Sequence, residues 1–151
     1  MSMQSGTAQT AVEAFERYKA ALEAGTLVQK AWHKEKDGRQ LACALGVIGK
    51  DIDNPRACPA AVMPRWVAQM VPTLFDGQGF EDAKSWGEAF YAELARLNGN
   101  VPFSVVHDWR ARFLMPMRIE TAKLRKRPPE AIAAHEAVLR LHQRALAGDA
   151  P

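Results

Sequence analysis

The sequence predicts an all-α fold, on three observations. Apolar residues recur at spacings of three and four along most of the chain, and clean alternation is rare. Glycine and proline punctuate those stretches where helices end or begin, as in Asn98-Gly99 and Pro128-Pro129. With 151 residues, 48% apolar and 25% charged, the chain is large enough to bury a core without disulfides or metals. The expectation is a single compact domain over 7–147, built from about five to seven short, Pro/Gly-interrupted helices. Residues 1–6 and 148–151 are expected to be disordered ends.

Each element has its own warrant. Val12, Phe15, Tyr18, Ala21 and Leu22 place a helix over 7–24, and Gly25 stops it. Residues 30–45 support two readings. Asp37-Gly38 is a two-residue hairpin signal that would pair Trp32 with Cys43. Alternatively Asp37 is a helix N-cap with Gln40 at the third helical position, a variant of the capping box. Leu41, Ala44, Leu45 and Ile48 share one helical stripe, so the expectation is a short helix over 38–49. Room is left for one short strand or hairpin near 30–43. Residues 50–58 read as a loop. Pro64 suits the first turn of a helix near 63–72, and residues 76–79 form a turn. Trp86, Phe90, Leu94 and Leu97 step by four, four and three, which makes 81–97 the clearest helix. Ser104 can cap a helix whose apolar side is Val105, Val106, Trp109 and Phe113. Pro116 should kink or split it, because a proline inside a helix loses a hydrogen bond and crowds the preceding turn. A second piece runs to about Arg127, and Pro129 opens a last helix over 129–147.

Charge is unevenly placed. Residues 1–100 carry 11 Lys and Arg against 12 Asp and Glu, a net of −1; residues 101–151 carry 9 against 5, a net of +4. The basic surplus gathers in Arg110, Arg112, Arg118, Lys123, Arg125, Lys126 and Arg127, with Glu120 the one acid between them. Such a run can grip phosphates or an acidic protein, or it can be a solvated helix end whose cations suit the C-terminal dipole.

The nine-residue apolar run 41–49 falls short of the roughly 20 needed to span a bilayer, and no secretory signal pattern opens the chain. A cytoplasmic protein with free thiols is expected. Phosphate-cradling glycine loops, the hydrolase elbow, the zinc-protease helix and paired C-x-x-C frameworks are missing. Asp51-Ile52-Asp53-Asn54-Pro55 fails the EF-hand pattern, since Arg56 stands where glycine belongs and Val62 where glutamate belongs. Neither a cofactor nor a metal is expected.

Several residues carry conditional readings. Cys58 precedes Pro59; if Pro59 opens a helix, Cys58 caps it, and helix amides would lower its thiol pKa and make it reactive. His107 and Asp108 sit in an expected first helical turn, where Asp108 suits the dipole. Trp32, Trp66, Trp86 and Trp109 are expected to meet in one aromatic core. His135 and His142 lie on the apolar arc of the last helix and are expected as a buried, pH-sensitive pair.

The function these features favour is a small intracellular helical binding or regulatory module without catalytic chemistry of its own. It would act by protein contact or self-association. One alternative is nucleic-acid binding through 110–127. The other is a ligand-binding or enzymatic pocket near Cys58 and the Trp-bearing helices.

Overall fold

The structure, a computed structural model, describes residues 6–148. Well over half of them are helical. The chain divides into two compact units, residues 1–101 and 102–151. Of the segments expected to be disordered, only Gly6 and Gly148 fall inside the described residues.

In the first unit, helix α1 (Ala11–Ala24) begins where Thr10 takes the N-cap. The Thr10 hydroxyl accepts from the Glu13 amide at 3.2 Å, and the Glu13 carboxylate accepts from the Gln9 amide at 2.7 Å. Gly25 closes the helix in the left-handed region, at φ 65°. The hairpin of β1 (His33–Lys36) and β2 (Arg39–Ala42) follows, antiparallel, with Lys36 opposite Arg39. Its two-residue turn needs positive φ at both positions, and Asp37 (53°) and Gly38 (72°) supply it.

The hairpin overturns the helix expected over 38–49; only Gly46–Ile48 winds into a single 3-10 turn. The pairing is held from both sides. Cys43 donates its amide to the Trp32 carbonyl at 3.2 Å, and Ala42 exchanges bonds with Thr26 and Val28 at 3.0 Å. Backbone partners far along the chain thus outcompete the local stripe. Ala44, Leu45 and Ile48 still reach the core, but from a loop.

Helix α2 (Arg65–Asp76) has Pro64 at its N-cap and buries Val67, Ala68, Val71 and Phe75. Helix α3 (Phe80–Arg96) buries Ala83, Gly87, Tyr91 and Leu94. The stepping is the expected four, four and three for a buried row, but the row sits beside Trp86 and Phe90, which are half-buried. Helices α1 and α3 meet through Tyr18 and Tyr91, stacked with ring centroids 5.0 Å apart. Both rings are fully buried, and each hydroxyl donates to a backbone carbonyl: Tyr18 to Lys84, Tyr91 to Ala44. Tyrosine and Phe75, rather than tryptophan, therefore make the aromatic core. Trp32, Trp66 and Trp86 pack at its margin, and Trp109 is 52% exposed.

In the second unit, α4 (Ser104–Trp109) runs through a π turn (Arg110–Leu114) into α5 (Met115–Leu124). Pro116 does not split this helix. Lacking an N–H, it cannot bond the Arg112 carbonyl, and the wider turn before it relieves the crowding; the Met115 amide reaches back to Arg110. Ser104 is the first helical residue and makes no side-chain cap bond. Asp108 lies beyond the first turn and pairs with Arg112 at 2.7 Å. Pro128 and Pro129 start α6 (Pro129–Leu146), which folds back along α5, the π turn and α4.

Candidate interaction surface

The continuous helix of α4, π turn and α5 has two apolar faces. One carries Met115, Ile119 and Ala122, the buried residues of the second unit among those described. The opposite face carries Val105, Trp109, Phe113, Met117 and Leu124. All are exposed, Phe113 to 62% and Leu124 to 83%. Helix α6 adds Val138, Leu141 and Leu146 to the exposed set and buries no residue at all. A monomer rarely leaves such a row uncovered, since apolar area in water is costly and large exposed patches mark contact sites.

The row is straight because of the π turn. A regular α-helix turns about 100° per residue, so a strict four-residue repeat drifts about 40° at each step. Val105, Trp109, Phe113 and Met117 repeat every four residues, and the slower rotation of the π turn brings Phe113 and Met117 back under Val105. The row was half visible in the sequence. Val105, Val106, Trp109 and Phe113 form one apolar side in the sequence, but Trp109, expected in an aromatic core, faces outward.

Cations border the row. Asp108 neutralises Arg112, and Glu120 reaches Lys123 at 3.4 Å, along one edge. Arg110, Arg118 and Arg125 follow the other edge. Together with Lys126 and Arg127, they are exposed and form no ion pair among the described residues. The expected basic segment is therefore a flank of the apolar row.

The histidines do not group as expected. His142 is half-buried and bonds His107 of α4, with the two Nδ1 atoms 2.9 Å apart. His135, also half-buried, takes no part in that bond. The ring centroids lie 5.2 Å apart, two ring radii more than the nitrogens, so the rings meet end-on. This is the geometry of one ring donating to the other; a chelated ion would need both lone pairs to converge on a third point. Desolvation, then Arg110 and His107, hold the His142 pKa below its ordinary value.

Cys58 ends a 3-10 turn (Pro55–Ala57) instead of capping a helix. Without helix amides to favour the thiolate, burial pushes its pKa up to about 11. Cys43 is buried and its thiol is likewise pushed up, chiefly by burial. A shallow, open depression lies beside Cys58 in sequence, lined by Asn54, Pro55, Arg56 and Gln69, without a nucleophile or carboxylate. Among the described residues, no three His, Cys, Asp or Glu side chains gather as a metal site, and no helix is long and apolar enough to cross a membrane.

Comparison with protein-family models, with curated proteins and with solved structures finds no match to this chain. Fold and surface define a mostly helical chain with one small hairpin, whose basic second unit carries an open apolar face.

Proposed function

We propose that this chain is a small helical binding module that works through protein contact and performs no chemistry of its own. One observation carries the reading: the second unit exposes a longer apolar row on its principal helix than it buries. Protein interfaces are enriched in Trp, Phe and Met, and Trp109, Phe113 and Met117 stand at the centre of the row. The bordering cations lend support to the nucleic-acid reading as well. That reading leaves Val105, Met117 and Leu124 without a role, because base stacking uses aromatic rings.

Site-specific photocrosslinking tests the proposal. A photoreactive residue placed at Phe113 should yield protease-sensitive adducts in cells, with a second copy or with another protein. The same residue at Ser85, exposed on α3, should yield few. Equal adducts at both positions, or nuclease-sensitive adducts alone, would overturn the reading.

A further inference from the structure

We propose that the partner of this face is an acidic amphipathic helix of another protein, with apolar residues along one side and carboxylates beside them. The inference rests on the reading of the row as a binding face, and charge and shape carry it further.

The row is a single file of side chains, held straight by the π turn. A ridge of that kind fits the groove beside a second helix, in the way helix surfaces interlock. Its edges differ. One is internally neutralised by Asp108–Arg112 and Glu120–Lys123. The other presents Arg110, Arg118 and Arg125 without a counter-charge among the described residues. A partner covering the row desolvates those arginines in part, and carboxylates opposite them would offset that cost and steer the encounter. A second copy docking through this same helix sets no free carboxylate of that helix against the arginines, because Asp108 and Glu120 are already paired with Arg112 and Lys123. An anionic membrane offers the charge, but Glu120 lies close to the row between Met117 and Leu124 and would be carried into the lipid boundary with it. A protein partner can hydrogen-bond that carboxylate.

The test uses the full chain and two labelled synthetic helical peptides. One has leucines along one face and glutamates beside them; its twin has lysines in place of the glutamates. Fluorescence anisotropy should show the glutamate peptide binding, more weakly as salt rises, with the lysine twin weaker by about tenfold or more. The double variant Arg118→Glu/Arg125→Glu should reverse that order. Phe113→Ser, with its helicity checked by circular dichroism, should lose both peptides. The proposal is overturned if the two peptides bind alike or if neither binds. It is equally overturned if duplex DNA or anionic vesicles, rather than the glutamate peptide, bind in a manner abolished by Phe113→Ser. Where crosslinks from position 113 persist through such a result, protein contact stands and the acidic helix falls. Where they vanish too, both fall.

Discussion

Gly87 lies against the Tyr18 ring so closely that a Cβ at this position would overlap the hydroxyl and the atoms next to it. The crowding follows from packing α1 directly onto α3. Gly87→Ala should therefore destabilise the protein by about 1–3 kcal/mol, the range for an overpacked core, and free the Tyr18 hydroxyl from Lys84. Urea denaturation would check the size, and an unchanged midpoint would mean that the helices can part without cost. Cys58 provides a second case. With its pKa raised to about 11, native Cys58 should react with iodoacetamide at pH 7.5 more than about tenfold slower than the same thiol in urea. Mass spectrometry of partly labelled protein reads both rates, and equal rates would contradict the burial. Neither outcome was legible in the sequence. Nothing in the 81–97 stripe marks the contact at Gly87, and the conditional reading of Cys58 needs Pro59 to open a helix; both outcomes depend on neighbours brought in by the fold.

At the scale of elements, chemistry written into adjacent residues was legible and the choice between competing local signals was not. Gly25, Asn98-Gly99 and Pro129 mark helix ends where the structure has them, whereas α1 starts at Ala11, after the Thr10 cap, and not at the expected residue 7. Asp37-Gly38 is a correct hairpin signal, and of the competing stripe Ala44, Leu45 and Ile48 reach the core by another route. The His107–His142 bond joins α4 to α6 and could not be foreseen, since the two residues are 35 apart in sequence. It makes a prediction with a definite sign. The His142 pKa is lowered in the folded state, so between that value and about 6.5 the unfolded chain binds more protons. The His142 contribution to stability is then fully present above about 6.5 and is lost as pH falls through the folded pKa. The charges acting on His142 are Arg110 from the π turn and His107 from α4, both opposing protonation, while the nearby Asp108 carboxylate is engaged by Arg112. Thermal unfolding of wild type and His142→Asn between pH 5 and 8 should give a difference that shrinks toward acid. A difference independent of pH would show that the imidazole is solvated in both states.

For the whole molecule, the division of charge seen in the sequence falls close to the division of structure, with the basic surplus in the unit that begins at Pro102. The large core cluster, from Ala8 to Leu94, belongs wholly to the first unit. The second unit has three buried side chains among its described residues, Met115, Ile119 and Ala122, fewer than a domain of its size needs to fold by itself. A fragment of residues 1–101 should thus keep a cooperative thermal transition by circular dichroism, whereas 102–151 alone should melt without one. A sharp transition in the shorter fragment would mean that its helices are stable before any partner arrives. Composition and periodicity announced this much helix. They could not separate an apolar side that faces a core from one that faces outward, because both obey the same spacing.

The π turn at Arg110–Leu114 also bears on how this chain tolerates changes in length. A π turn is an α-helix that has absorbed one additional residue locally. Removing a residue elsewhere in α5 or α6 would rotate everything beyond it by about 100° and scramble the faces. Removing one inside 110–114 would instead let the ladder close into regular α-helix, with both faces kept in place at the cost of crowding Pro116 against the carbonyl four residues before it. Single-residue deletions should accordingly damage the fold less in this one stretch than elsewhere in α5 or α6, a difference that circular dichroism of the two sets of deletions would read.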